Sequence, residues 1–402
     1  MKVLLINPVC EQGSTGRICV GIAEMLKKSG HMAFIAYGLG NSTYPNSFKI
    51  SKGKFDYLKH NILSRITDSE GLHSRIATKR LIKQIENINP DIVHIHTMHG
   101  HYLNYKILLK YLQQVNLPTV VTLHDCWTFT GHCAHFIMRG CNKWQTGCEK
   151  CQFLDEYPQS WFIDNSKRNF QLKKSLFTDL QNKLTIVPVS YWLEGLVKQS
   201  FFKDMRIKTI HNGIDLTVFK PTINEELRKK YGIERKKIIL GVALPWSIYK
   251  GYNDFLKLRE LLSEEYAIVM VGLSEKQMLE LPKGIIGITR TDSAKELAEL
   301  YTLADVMVNT TYCDNYPTVN LEAIACGTPV ITYETGGSPE SIDENTGIIV
   351  KQGDILSLKE AIVRICKHSS KYKQFCINKA QRVFEKNKCF ESYLDIYNKY
   401  LL

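Results

Sequence analysis

The sequence predicts an α/β protein built from two doubly wound, Rossmann-like domains. Short apolar runs alternate with amphipathic stretches along the chain, an order typical of parallel sheets with helices on both faces. The first unit is a strand over 2–7, a glycine-containing loop and a helix over about 17–28, and the same alternation starts afresh after Pro221. We therefore expect an N-terminal domain over 1–212 and a second domain over 213–385.

The C-terminal segment and the composition complete this prediction. Residues 386–402 are predicted to form a helix that packs back on the N-terminal domain. Of the 402 residues, 44% are hydrophobic and 23% are charged, and no apolar run approaches the ~18 residues of a membrane-spanning helix. Because residues 1–8 have the pattern of a first strand and not of a signal peptide, we expect a cytoplasmic protein.

The net charge is +12, from 52 Lys and Arg against 40 Asp and Glu. Basic residues cluster at Lys79/Arg80/Lys83, at Lys167/Arg168/Lys173/Lys174 and between Arg228 and Lys237. Two interpretations remain open, namely solvated helix faces or attraction to anionic lipid or phosphorylated ligands. Nucleic acid is not an expected partner, since no aromatic-interleaved basic motif accompanies the charge.

A strand, a polar loop and a short helix over 305–327 form the best candidate for a binding site. Pro317 suits the first position of the helix, and Gly327 suits a left-handed residue just beyond its end. A helix that begins at the carboxyl end of a parallel strand presents free N–H groups to an anion. Asp314 precedes this helix and Glu322 lies within it, so the segment suits a sugar nucleotide, with phosphate at the helix end and hydroxyl groups on the acids.

Two features of the first half also follow predicted strands. Gly13–Gly16 follows the first strand, where it is either a phosphate-binding loop or a simple tight turn, because it lacks the spacing of a dinucleotide-binding motif. His124 and Asp125 follow an apolar strand over 118–123. A histidine there suits polar or acid–base work and its neighbour could orient it; the alternative is a histidine that caps the next segment.

Five of the twelve cysteines fall in a loop over 126–151. The four that suit a metal site are Cys133, Cys141, Cys148 and Cys151, of which the last two form a CxxC pair like half of a zinc ribbon. His132 and His135 are spare ligands. A closed site of this kind would be structural, and the alternative is a loop with unrelated thiols.

Taken together, these motifs resemble glycosyltransferase family 4, the group 1 glycosyltransferases with the GT-B fold. The resemblance is strongest to bacterial polysaccharide-assembly members such as colanic acid or O-antigen transferases, and it covers essentially the whole chain. It is carried by Gly13–Gly16, His124-Asp125, His211–Asp215, Lys250-Gly251, Asp314 and Glu322 with seven residues between them, Gly327-x-Pro329-Val330, and Gly336-Gly337. It implies two Rossmann-like domains that face each other across a cleft.

The resemblance also implies roles for single residues. Glu322 would bind the donor ribose, Asp314 the donor sugar hydroxyls, and Lys250 the diphosphate, while His124 would sit by the donor sugar and the reacting centre. The further substrate contacts are Gly16, Asp125, Thr318 and Val319. Because members of this fold generally need no catalytic metal, a zinc ion in the cysteine loop would be structural.

This chain departs from the family pattern at three places. Pro245 stands where the family has an arginine five residues before the phosphate-binding lysine, and the first acid, Asp314, is one methylene shorter than the usual glutamate. The usual Gly-Phe-Gly is replaced by Asn315–Pro317. Since proline has no N–H, phosphate contacts would shift to Thr318 and Val319.

The sequence therefore predicts a retaining, hexosyl-type glycosyltransferase. It would move a sugar from a UDP- or GDP-sugar to a saccharide or polyprenyl-linked acceptor during the synthesis of capsule, O-antigen or exopolysaccharide, in the cytoplasm or at the inner face of the plasma membrane. The transition state would have oxocarbenium character, with charge stabilised by Lys250 and helix N-termini. The alternatives are a nucleotide-sugar epimerase or phosphorylase of the same fold, or a zinc-stabilised binding protein without catalysis.

Overall fold

The computed structural model describes residues 1–51 and 53–401. The chain divides into two compact units. Unit 1 comprises Met1–His211 together with the chain from Phe390 onward, and unit 2 comprises Asn212–Cys389.

Unit 1 contains a seven-stranded parallel sheet in the order β3-β2-β1-β4-β5-β6-β7. The strands are β1 Lys2–Val9, β2 Met32–Leu39, β3 Ser47–Lys49, β4 Ile92–Ile95, β5 Thr119–Leu123, β6 Leu184–Pro188 and β7 Arg206–Ile207. The helices are α1 Gly13–Lys28, α2 Lys54–Thr67, α3 Arg75–Ile88, α4 Tyr105–Gln114, α5 Ser166–Thr178 and α6 Tyr191–Val197. The order of the strands reverses between β1 and β4, which is the usual place for a ligand in such sheets.

Unit 2 contains a six-stranded parallel sheet in the order β10-β9-β8-β11-β12-β13. The strands are β8 Lys237–Val242, β9 Tyr266–Val271, β10 Ile285–Ile288, β11 Val306–Asn309, β12 Val330–Tyr333 and β13 Gly347–Val350. The helices are α7 Glu226–Lys230, α8 Tyr252–Leu261, α9 Glu275–Leu279, α10 Ala294–Leu303, α11 Thr318–Ala325, α12 Ile355–Lys367 and α13 Ser369–Lys379. Here the order of the strands reverses between β8 and β11. Helix α14, Lys386–Asn398, begins in unit 2 and continues into unit 1.

The central strands explain why both sheets form. The side chains of β1 from Val3 to Ile6 have no solvent exposure, and neither do Ile268 and Met270 of β9. Parallel strands covered by helices on both faces need such continuous apolar runs. The predicted α/β class with two Rossmann-like units is therefore confirmed.

One predicted loop is helical. Gly13–Gly16 forms the first turn of α1 rather than a loop before the helix. Gly16 is buried there, because a Cβ atom at this position would lie only 3.3 Å from the backbone oxygen of Val9 and the backbone nitrogen of Glu11. The glycine thus lets the start of α1 approach the end of β1.

The C-terminal helix α14 contributes two tyrosines to the polar interior of unit 1. The Tyr397 hydroxyl lies 2.7 Å from Nδ1 of His94 on β4, and the Tyr393 hydroxyl lies 2.9 Å from Oγ1 of Thr122 on β5. Nε2 of His94 is in turn 2.8 Å from Thr122. Burial lowers the pKa of His94 to about 3, so this imidazole is neutral and needs the hydrogen bonds that these neighbours supply.

We expect the substitution Tyr397→Phe to destabilise unit 1 by about 1–3 kcal/mol, because it leaves a buried ring nitrogen of His94 without its partner. Urea unfolding followed by tryptophan fluorescence measures this change. Tyr191→Phe, at a position that is 66% exposed, serves as the control and should change stability by less than about 0.5 kcal/mol. Equal stabilities of the two variants would contradict this account of the C-terminal helix.

Candidate functional site

The loops that follow β8 and β11 are joined at the point where the strand order of unit 2 reverses. The loop after β8 ends in a short 3₁₀ turn, Ile248–Lys250. The N–H of Tyr312 donates to the carbonyl of Tyr249 at 2.8 Å, and the hydroxyl of Thr310 donates to the carbonyl of Lys250 at 3.2 Å. These bonds fix the position of the lysine relative to the strand that precedes α11.

An ion pair connects the two loops. Nζ of Lys250 lies 2.6 Å from Oδ2 of Asp314, and both side chains are partly exposed. Burial alone would lower the pKa of Lys250, but the charge of Asp314 and their hydrogen bond outweigh it, so that the net pKa is raised. The lysine therefore carries a positive charge at physiological pH, and the structure brings together two of the predicted site residues.

Two glycines allow close backbone approaches around this ion pair. Gly251, in the loop after β8, has φ +73°, and a Cβ there would lie 2.1 Å from Oγ1 of Thr310 in the loop after β11. Gly336, in the loop after β12, has φ +56°, and a Cβ there would lie 1.8 Å from the carbonyl oxygen of Asp314. Since contacts this short do not occur, a side chain at either position would displace the loop after β11.

Helix α11 begins beside the ion pair. Pro317 is its N-cap, one residue before the predicted position, so Thr318 and Val319 are the first two helical residues. The N–H groups of such residues have no partner within a helix, which makes them donors for an anion. At the other end Gly327 has φ +86°, and its predicted left-handed conformation is confirmed.

Glu322 lies deeper in the structure than the other predicted site residues of unit 2. It is only 2% exposed, and its Oε2 accepts a hydrogen bond from the hydroxyl of Tyr301 at 3.1 Å. Its neighbour Asn320 is held by Asn309 and Ser341 at 2.8 and 3.0 Å. The carboxylate is thus fixed by α10, whereas Asp314 is accessible from the surface.

In unit 1, histidines meet at the carboxyl ends of β4 and β5. Nδ1 of His96 lies 3.0 Å from Nε2 of His124, and the two rings are stacked. Burial lowers the pKa of His124 to about 4, although the charge of Asp125 opposes this shift. The imidazole of His124 is therefore neutral at pH 7 and can act as a hydrogen-bonding group but not as a cation.

The carboxylate of Asp125, expected to orient His124, contacts His99 and Trp127. Its Oδ2 lies 2.7 Å from Nε2 of His99, and its Oδ1 accepts the N–H of Trp127 at 2.8 Å. Burial alone would raise the pKa of Asp125, but His99 outweighs it and the pKa is lowered, so that the carboxylate is charged. The sequence pattern did not single out His96 and His99, although His96 follows β4 as directly as His124 follows β5 and His99 lies three residues further on.

The cysteine loop packs its thiols around one small cavity. Cys133, Cys141, Cys148 and Cys151 line this cavity of about 10 Å³ together with His132. Backbone N–H groups point at two of the sulfur atoms, from Gly131 to Cys148 at 3.2 Å and from Phe153 to Cys151 at 3.4 Å. Burial raises the pKa of Cys148 to about 11 and that of Cys151 to about 12, so that an uncompensated thiolate is disfavoured here.

The buried side chain of Lys173 stabilises the start of the same loop. This residue belongs to a basic cluster of the sequence, but it is buried, with Nζ 2.6 Å from the carbonyl of Trp127 and 3.3 Å from the centre of its ring. Burial lowers the pKa of Lys173 to about 7. The lysine is a structural part of the interior and does not add to the basic surface.

Two family models match the chain. Residues 15–218, slightly more than half of the chain, match the model described as Glycosyltransferase Family 4. The chain belongs to glycosyltransferase family 4. Residues 223–383 match the model described as Glycosyl transferases group 1, and the predicted family and the prediction of a glycosyltransferase are confirmed.

Individual relatives of this family 4 protein extend the comparison. The colanic acid biosynthesis glycosyl transferase WcaC of Escherichia coli (strain K12) is 24% identical over 373 residues, which is 89% of each chain. Sucrose-phosphate synthase from Thermosynechococcus elongatus superposes with a TM-score of 0.75 at 17% identity, covering 99% of this chain and 98% of its own. Anabaena HepE, solved in complex with UDP-glucose, superposes with a TM-score of 0.67 at 14% identity, covering 99% and 100%. These structural likenesses confirm the GT-B fold class.

Among residues 1–51 and 53–401, no helix is both long enough and apolar enough to span a membrane.

The buried histidines predict how stability depends on pH. An unfolded histidine has a pKa near 6.5, whereas that of folded His94 is about 3. Between these values only the unfolded chain binds the proton, so the contribution of His94 to stability is complete above about pH 6.5 and falls by about 1.4 kcal/mol per pH unit below it. Burial also lowers the pKa values of His60 and His124 to about 4, so these histidines add to the slope. We therefore expect His94→Gln to reduce the slope by about 1.4 kcal/mol per pH unit in urea unfolding of unit 1, followed by tryptophan fluorescence. His368→Asn, at an exposed position, is the control, and an unchanged slope in His94→Gln would contradict the prediction.

Proposed function

We propose that this glycosyltransferase moves a hexose from a UDP- or GDP-sugar to a saccharide or polyprenyl-linked acceptor in surface polysaccharide assembly, with retention of configuration. The observation that carries the proposed binding of a nucleotide-sugar donor is the Lys250–Asp314 ion pair beside the N-terminus of α11. The similarity to WcaC, whose name refers to colanic acid, supports a saccharide acceptor. The similarity to HepE, which was solved with UDP-glucose, supports a nucleotide sugar as the donor.

The diphosphate of the donor would bind between Lys250 and the first turn of α11. The lysine offers a positive charge, and the N–H groups of Thr318 and Val319 lie at the positive end of the helix dipole. Negative charge accumulates on the diphosphate as the glycosidic bond breaks, so these fixed groups would stabilise the transition state more than the ground state. With Pro245 in place of the usual arginine, Lys250 would carry more of this stabilisation than it does in the family pattern.

The acids would recognise hydroxyl groups. Asp314, accessible and already oriented by Lys250, would accept hydrogen bonds from the donor sugar. Glu322, held by the hydrogen bond from Tyr301, would accept hydrogen bonds from the ribose hydroxyls through its remaining acceptor capacity. The proposed retention of configuration follows the family resemblance, and we assign no protein nucleophile.

In unit 1 the proposed contributors are His124, Asp125 and Gly16. The neutral imidazole of His124 would donate or accept a hydrogen bond at the reacting sugar, and the glycine would allow substrate to approach the first turn of α1. Asp125 would act through His99, which it holds by the 2.7 Å contact.

Donor binding is tested with a set of UDP- and GDP-sugars, by calorimetry and by product analysis with lipid-linked and free saccharides. We expect Lys250→Met to weaken binding of the preferred donor by about tenfold or more, because loss of a charged hydrogen-bond partner costs roughly 1.5–3 kcal/mol. Lys257→Met, at an exposed position of the neighbouring helix α8, is the matched control. Equal donor affinities of these two variants would contradict the proposed role of Lys250 in diphosphate binding. Absence of any donor binding would refute the proposed function.

We also propose a structural zinc ion in the cysteine loop. The chemistry of the donor set suits this metal, since four thiols line one cavity and backbone N–H groups face two of the sulfur atoms. A bound cation would compensate the thiolates that burial otherwise disfavours. Its role would be to hold the loop after β5, and no step of the transfer would pass through it.

Elemental analysis of the purified protein tests this metal. We expect about one zinc per chain, and we expect Cys148→Ser with Cys151→Ser to abolish zinc binding and to lower the melting temperature. Cys389→Ser, outside the loop, is the control and should retain the metal. A protein without zinc or iron in which all four thiols react freely would exclude the site.

A further inference from the structure

Helix α2 has its apolar side chains on the outside. Phe55, Leu58, Ile62 and Ile66 are all exposed, Phe55 by 76%. Their spacing of three and four residues places them on one face of the helix. The residues of α2 that are buried are polar, namely His60 and Ser64. A surface helix of a globular domain normally has the opposite arrangement.

The polar face of α2 is held in place by specific contacts. Nδ1 of His60 lies 2.7 Å from the hydroxyl of Ser74, and its Nε2 accepts the N–H of Gly71 at 3.2 Å. The same ring nitrogen lies 4.0 Å from Oε2 of Glu70. Rotating the helix to bury its apolar face would break these buried contacts, so the exposed orientation is a stable property of unit 1.

A second exposed apolar segment lies against the C-terminal end of α2. The N–H of Trp161 donates to the carbonyl of Arg65 at 2.7 Å, and the guanidinium of Arg65 lies 5.5 Å from the centre of the Trp161 ring. The ring of Phe162, which is 80% exposed, meets that of Trp161 edge-on, and Ile163 is also exposed. We call the combined set the α2 surface; it comprises Phe55, Leu58, Ile62, Ile66, Trp161, Phe162 and Ile163.

The charges on helix α2 itself are mainly positive. Helix α2 carries Lys54, Lys59 and Arg65 against a single acid, Asp56. The acid next to Ile163, Asp164, accepts the backbone N–H groups of Cys151 and Ser166 at 2.7 and 2.9 Å and is thereby held against its own segment. Exposed aromatic and aliphatic side chains among lysines form the combination that binds the interface of an anionic bilayer.

We propose that the α2 surface docks on an anionic membrane, with Phe55, Ile62 and Phe162 entering the headgroup region and Lys54 and Lys59 contacting lipid phosphates. This inference rests on the proposed function in one respect, since a polyprenyl-linked acceptor would be presented at such a membrane. A second copy of this chain is a less suitable occupant, because a symmetric contact would place the lysines of both copies against each other.

Vesicle flotation of the full-length protein tests the proposal. We expect the protein to float with vesicles of equimolar phosphatidylcholine and phosphatidylglycerol, to float much less with phosphatidylcholine alone, and to be released by high salt. The double variant Ile62→Ser with Phe162→Ser should bind the anionic vesicles roughly tenfold or more weakly, because two apolar side chains leave the interface. Lys54→Glu with Lys59→Glu should weaken binding by at least about fivefold.

The control is Leu279→Ser, which removes an 89% exposed leucine from unit 2 and should bind vesicles like the unchanged protein. All these substitutions are at exposed positions, and circular dichroism confirms folding. Failure of the unchanged protein to float, or equal flotation of all variants, overturns the proposal. So does a concentration-dependent dimer in sedimentation that Phe162→Ser abolishes, because the surface would then be an interface between copies.

Donor binding measured without vesicles separates this proposal from the proposed function. A protein that binds a nucleotide sugar but not vesicles refutes only the docking surface. A protein that floats but binds no nucleotide sugar refutes only the proposed glycosyl transfer chemistry.

Discussion

The candidate donor site depends on the close approach of two loops at the β8–β11 switch point. Adjacent parallel strands place both loops at the same edge of the sheet, and Gly251 leaves room for their backbones to meet. Gly336, from the loop after β12, allows a further close approach to Asp314. The Lys250–Asp314 ion pair then orients a cation and a carboxylate before any ligand arrives. Preorganised charge of this kind needs no reorganisation during the reaction.

Much of this arrangement could be predicted from local patterns. Alternating apolar runs and amphipathic stretches predicted the strands and helices. The rule that ligands bind beyond the carboxyl ends of parallel strands identified Asp314 and His124 as candidate site residues. The left-handed glycine after α11 followed from its position alone. Local patterns could not predict distances between segments that are far apart in the chain. The family resemblance placed Lys250 and Asp314 in one site, and in the structure Nζ of Lys250 lies 2.6 Å from Oδ2 of Asp314.

The remaining features depend on packing that no short segment encodes. Glu322 has the right spacing for a ribose ligand, yet the neighbouring helix α10 buries it against Tyr301. Asp125 is next to His124 in sequence, yet its carboxylate pairs with His99 from the loop after β4. Lys173 belongs to a run of basic residues, yet it is covered by Trp127. In each case a tertiary neighbour, and not the local motif, determines what the side chain contacts.

The contact between Tyr397 and His94 joins residues 303 positions apart in the chain. Contacts of such long sequence separation form late, because the intervening chain must first be brought together. Tyr393 and Tyr397 follow all of unit 2 in the chain, so a ribosome synthesises unit 2 before it supplies these two partners of the polar interior of unit 1. The order of synthesis thus makes unit 2 the first unit able to assemble all of its own segments.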